Sequence, residues 1–87
     1  ETTVSPSALR SYVGEYKYSD ETSVVTLEQG KLFMKVGNAK RELRARTDGS
    51  FFAIDSDREY TFNRKSGRVT SLGVQLADFR YESRKVK

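Results

Sequence analysis

The chain has 87 residues, 36% hydrophobic and 32% charged, with a formal net charge of +4. It contains no Cys and no His, which removes disulfides, thiol nucleophiles, Cys-based metal sites and the commonest general base. This length allows one domain, residues 1–87, with a modest core, and no apolar run approaches the ~20 residues that span a bilayer.

Five Tyr and five Phe, with no Trp, are expected to supply much of that core. The chain opens on Glu1 rather than Met, as a trimmed or mature fragment would. Ser5-Pro6 is a helix-start signal, with Ser as N-cap and Pro at the first helical position. Ser7–Tyr12 then reads as one or two turns, with Gly14 expected to end them. Such a short helix must dock on other structure to persist.

Period-2 alternation follows. Glu15–Ser19 reads as a strand with Tyr16 and Tyr18 inward. Ser23–Glu28 places Val25 and Leu27 on one face, and Lys31–Val36 places Leu32, Met34 and Val36 inward with Phe33 out of phase. Lys40–Arg46 turns Leu43 and Ala45 inward and Arg44 and Arg46 outward. Gln29-Gly30, Gly37-Asn38 and Asp48-Gly49 punctuate these runs as turns.

The stretch 48–72 holds three further short strands joined by two tight turns. Ser50–Ile54 is rich in Phe and Ile. Arg58–Arg64 alternates Tyr60 and Phe62 against Glu59, Thr61 and Asn63. Lys65-Ser66-Gly67 supplies a turn with Gly67 suited to positive φ. Arg68–Leu76 returns as a long strand with a kink expected at Gly73. Phe79–Lys85 is the last strand, with Phe79, Tyr81 and Ser83 on one face and a basic end expected to fray. About eight short strands at spacings of roughly 8–12 residues, with one small helix, predict an all-β antiparallel meander that curls into a barrel or half-barrel.

The motifs YVGEY at Tyr12–Tyr16, EQGKLFMKV at Glu28–Val36, Glu42-Leu43, Phe51-Phe52, YTF at Tyr60–Phe62 and SGRVTSL at Ser66–Leu72 occur in a characteristic order. Together they resemble a small domain of unknown function found at the C-terminus of many bacterial serine hydrolases, both class C β-lactamase-like and penicillin-binding-protein-like. The resemblance covers nearly the whole chain. It implies a lipocalin-like (calycin-like) barrel, an accessory role beside a catalytic domain in cis, and a periplasmic or extracytoplasmic location. It carries no catalytic residue and no cofactor onto this sequence. The parent's own chemistry is absent: no Ser is followed by Lys at the third position, and no Tyr-x-Asn or Lys-Thr-Gly triplet occurs.

Four constellations remain. Asp55, Asp57 and Glu59 alternate as oxygen ligands for a hard cation would, but the glycine and terminal Glu of an EF-hand loop are missing, so a solvated turn is the expectation and no metal site is assigned. Lys40, Arg41, Arg44 and Arg46 make one basic cluster, Arg64, Lys65 and Arg68 a second, and Arg80, Arg84, Lys85 and Lys87 a third. Sharing one face, they would bind phosphate or nucleic acid, with Arg41, Arg44 and Arg46 as the candidate anion patch; solvated outer positions are the plainer reading. Phe33, Phe51 and Phe52 are candidates for a partner-docking surface, since neighbouring strand residues point to opposite faces and the two adjacent rings cannot share one core. Tyr16, Tyr18, Tyr60 and Tyr81 would line a small cavity in a closed barrel, although short strands favour a filled interior. The expected function is therefore a non-catalytic accessory module, with nucleic-acid binding and small-ligand binding as alternatives.

Overall fold

Among the described residues, eight antiparallel strands follow one another in chain order around a closed barrel. The computed structural model describes residues 5–47, 49–53 and 57–87. A helix, α1 (Pro6–Tyr12), precedes β1 (Gly14–Tyr18), β2 (Glu21–Glu28), β3 (Lys31–Val36), β4 (Ala39–Ala45), β5 (Phe51–Ala53), β6 (Glu59–Lys65), β7 (Arg68–Gln75) and β8 (Arg80–Lys85). Two of the tight turns place both central residues at positive φ: Gln29 and Gly30 at 52° and 77°, and Ser66 and Gly67 at 55° and 82°. That backbone matches the right-handed twist of the strands it joins.

Helix α1 forms where the sequence placed it. The Ser5 hydroxyl accepts from the Ala8 amide, and Pro6 occupies the first turn. The sequence expectation that Gly14 ends the helix is not met. Val13 already stands in extended conformation (φ −64°, ψ 136°), and Gly14 opens β1. The reason for a glycine lies at the far end of the chain. Gly14 has φ +155°, and a Cβ there would stand 2.3 Å from the Lys87 carbonyl oxygen.

The C-terminal strand does not fray. In β8, Lys85 and Arg84 pair with Tyr16 and Lys17 of β1. Beyond it, the Glu15 amide donates to the Lys87 carbonyl at 3.1 Å, and the Val86 amide donates to the Glu15 carbonyl at 2.8 Å. These bonds join the first strand to the last and remove both sheet edges.

Side chains fill the interior by pairing large with small. Tyr16 lies opposite Ser23, Leu43 opposite Ala53, and Leu72 opposite Ser83. Tyr16, Tyr60, Val25 and Leu72 have no exposed surface. Strict alternation breaks in β7, where Val69, Leu72 and Val74 are all buried. The β6–β7 register shifts between Asn63 and Arg64, so that Asn63 faces Ser71 while Arg64 faces Val69. Thr70 is the extra residue of a bulge, and it re-phases the strand. At Gly73, where a kink was expected, the ladder continues unbroken, pairing Gly73 with Thr61 and with Glu82. Its missing side chain makes room for Arg80, whose Nη2 would lie 2.7 Å from a Cβ.

Replacing Gly14 by Ala tests the closure. The strained φ and the clash with Lys87 are expected to cost about 1–3 kcal/mol. Urea unfolding would show this as a lower midpoint, and an unchanged midpoint would mean that the C-terminal residues do not close the barrel in solution.

Candidate functional site at the open barrel mouth

The two ends of the barrel differ. At one end α1 serves as a plug. Tyr12 stacks on Phe62 with ring centroids 4.4 Å apart, and meets Phe51 edge-on at 5.4 Å. Phe51 and Phe62 meet at 5.5 Å, and Tyr16 joins them at 5.8 Å from Phe62. The Tyr16 hydroxyl donates to the Tyr12 carbonyl at 2.7 Å, and Arg64 lies over the Tyr12 ring while donating to the Ser11 hydroxyl. A helix too short to stand alone is thereby held through its Tyr12 by three aromatic residues of the barrel and an arginine.

Among the described residues, no helix covers the opposite end. An open cleft of about 900 Å³ lies there, floored by Val36 and Leu76 and walled by Tyr18, Phe79 and Tyr81. Tyr18 and Tyr81 have ring centroids 4.5 Å apart with planes 38° apart; Tyr81 and Phe79 are 5.9 Å and 37° apart. The three rings pack against one another as one aromatic cluster. Tyr18 is 41% exposed and Phe79 is 53% exposed, the two most exposed aromatic side chains of the fold. The β7–β8 turn aims Phe79: the Leu76 amide donates to the Phe79 carbonyl at 2.8 Å, and the Gln75 side-chain amide donates to the Leu76 carbonyl. Asp20, Glu21 and Thr22 from the β1–β2 hairpin and Arg58 ahead of β6 complete the rim. Burial raises the Tyr81 hydroxyl above the ordinary phenol range, and the Glu21 carboxylate adds to this while Arg58 opposes it.

The cavity tyrosines divide in two. Tyr16 and Tyr60 are packed into the filled interior, while Tyr18 and Tyr81 sit at the mouth. Phe79, expected to open the last strand on one face with Tyr81 and Ser83, stands on the rim just ahead of β8. Of the three candidate docking rings, Phe51 belongs to the core at 2% exposure. Phe33 and Phe52 do lie on the outer face, yet both are half-buried beneath cations. Lys40 Nζ stands 4.9 Å from the Phe33 centroid and the Arg46 guanidinium 5.0 Å from that of Phe52.

Arg41, Arg44 and Arg46 do not form one patch. Arg41 pairs with buried Met34 and turns toward the mouth, whereas Arg44 and Arg46 are outside, beside Glu42 and Glu59 respectively. Lys40, also outside, bridges to Glu28 at 2.8 Å and with Thr26 holds that carboxyl below its usual range. The second and third basic clusters meet in part. Arg68, Lys85 and Lys87 line a groove of about 570 Å³ at the plugged end. The acidic alternation falls partly outside the described residues, since Asp55 is not among them; among those that are, no group of three potential metal ligands converges. Nor, among them, is any helix long and apolar enough to cross a membrane.

A family model described as "Domain of unknown function (DUF3471)" matches residues 1–87. No curated protein and no solved structure matches the chain.

Titration tests the tyrosine environments. Burial pushes Tyr16 well above the ordinary phenol range, opposed by Arg64. Folding therefore favours the neutral phenol. Its contribution is fully present below the unfolded phenol value near ~10 and declines as pH rises above it, because the unfolded chain loses the proton first. Phenolate absorbance is expected to show Tyr16 and Tyr81 lagging behind free tyrosine. Tyr16→Phe is expected to lose about 0.5–1.5 kcal/mol at neutral pH, with a shallower alkaline decline. A steeper decline in the variant would contradict the assignment.

Proposed function

The chain thus belongs to the DUF3471 family of domains of unknown function, and we propose that it is a non-catalytic accessory binding module of a bacterial serine hydrolase. Its partner in cis is a class C β-lactamase-like or penicillin-binding-protein-like catalytic domain, in the periplasm or outside the cell. The order of motifs from Tyr12–Tyr16 to Ser66–Leu72 supports the parentage, and a lipocalin-like barrel fits it.

One observation carries the binding role: the cluster of exposed Tyr18 and Phe79 with half-buried Tyr81 beside an open cleft. Exposed rings contribute little to a core, so their clustering at one rim serves contact with something else. The filled lumen confines that contact to the mouth. With Phe33 and Phe52 covered by Lys40 and Arg46, the outer face is the weaker surface.

The parent enzyme tests this reading. Removing the barrel, or replacing Tyr18 and Phe79 together by Ala, is expected to lower the parent's activity on its own substrate. The double variant is expected to keep its melting temperature. A parent that keeps full stability and activity without the barrel would overturn the accessory role.

A second reading, an anionic ligand such as single-stranded nucleic acid, draws on the groove that gathers Arg68, Lys85 and Lys87. Oligonucleotide titration at low salt decides it. Affinity that falls steeply with added salt is expected on this reading, and binding that is absent or indifferent to salt removes it.

A further inference from the structure

We propose that the open mouth binds a short apolar peptide of two or three residues with both ends free, its carboxylate toward Arg41 and Arg58 and its ammonium toward Asp20 and Glu21. This rests on the accessory binding reading and names what the mouth takes.

Two charges of opposite sign stand on the inner face of the sheet. Glu21 lies opposite Tyr18 in the β1–β2 ladder, and Arg41 lies opposite buried Met34 in the β3–β4 ladder. Opposite residues share a face, and the inner positions of a small barrel are ordinarily filled by packed side chains. Glu21 comes two residues before buried Ser23, and Arg41 two before buried Leu43. Arg41, Arg58 and Glu21 together line a recess of about 200 Å³ backed by Met34, Val36 and Ala39. That recess adjoins the larger cleft, with which it shares Glu21, Val36 and Arg58.

These charges do not cancel one another. Among the described residues, neither Asp20 nor Glu21 has an ion-pair partner. Burial is the main influence on the Tyr81 hydroxyl; Glu21 then raises its proton affinity further and Arg58 lowers it, so both signs act on one wall of the cleft. Arg41 and Arg58 also have neighbours within the protein, and five N–H donors on each leave capacity for a ligand carboxylate.

A mouth charged in this way disfavours ligands of a single sign, since Asp20 and Glu21 repel an anion while Arg41 and Arg58 repel a cation. A ligand carrying both charges satisfies both groups when its own charges are as far apart as they are. Strands β2 and β4, which carry Glu21 and Arg41, are separated by β3, roughly 9–10 Å across the sheet. The end charges of an extended peptide of two or three residues lie about 7–10 Å apart, whereas those of a free amino acid are far closer. Between the charges the surface is apolar: Val36 and Leu76 form the floor, and Tyr18 and Phe79 expose the open side of their cluster. Apolar side chains cover this surface, and the recess takes the one beside the carboxylate.

Nuclear magnetic resonance titration of the 87-residue chain with leucyl-leucine, its N-acetyl form, its C-terminal amide and free leucine tests the proposal. Saturable shifts in the β1–β2 and β7–β8 hairpins and at the start of β4 are expected with leucyl-leucine. Capping either end is expected to weaken binding about two- to fivefold. Glu21→Gln is expected to weaken the free dipeptide by the same factor and to leave the acetylated form unchanged. Arg58→Gln is expected to weaken the free dipeptide likewise and to leave the amide unchanged. This crossed pattern separates charge recognition from general damage to the mouth, and Lys35→Ala on the outer face is expected to change nothing. Absence of shifts with leucyl-leucine at millimolar concentration would overturn the proposal. So would equal binding of the capped forms, a loss in Glu21→Gln that persists with the acetylated peptide, or free leucine binding as tightly as the dipeptide. Silence toward the peptide in a parent that still needs its barrel removes the ligand and leaves the accessory role. Peptide binding in a parent indifferent to its barrel does the reverse.

Discussion

Closure of the sheet between β1 and β8 is the constraint on which the rest of this molecule depends. An antiparallel meander is built locally, one hairpin at a time, but it leaves two open edges and an interior with one side missing. Here a few residues complete it. Two ladder pairs, Tyr16 with Lys85 and Lys17 with Arg84, are extended by the bonds between Glu15 and the last two residues. Tyr16, Tyr60 and Leu72 acquire an interior only once that seam forms. Gly14 records the same constraint, since the Lys87 backbone occupies the space its side chain would need.

The inequality of the two ends follows from connectivity. Hairpins send alternate turns to opposite ends, and α1, leading directly into β1, can cover only the end at which β1 begins. Tyr16 then belongs to the plug, through its bond to Tyr12 and its contact with Phe62. Tyr18 lies two residues on, about 6.6 Å further along the strand on the same face. That step takes it from the interior to the rim, where the chain returns as Phe79 and Tyr81. A filled lumen and an aromatic mouth are thus two consequences of one short barrel.

Charge in this protein is organised by face rather than by sequence run. Arg41 and Arg44 are three positions apart and point opposite ways, so the basic run in β4 never becomes a patch. On the outside, Lys40 and Arg46 lie over Phe33 and Phe52 while pairing with Glu28 and Glu59. Pairs this exposed add little stability, yet their aliphatic stems shield apolar rings from water. Outward aromatic residues are therefore sheathed, and bare ones remain at the mouth.

Local periodicity was enough to determine much of this. The order of strands, the Ser5-Pro6 helix start, the inward set of β3 and β4, and the opposition of Phe51 to Phe52 all follow from a period of two, a capping pattern and turn residues. What the tertiary structure alone decided involves residues far apart in sequence: whether the meander closed, why Gly14 must be glycine, and that Tyr18 would meet Phe79 and Tyr81. The bulge at Thr70 belongs with these, because its shift is set by the partner strand and not by the alternation of β7 itself. Alternation states which face a side chain takes; the closed sheet decides whether that face is core, plug or open mouth.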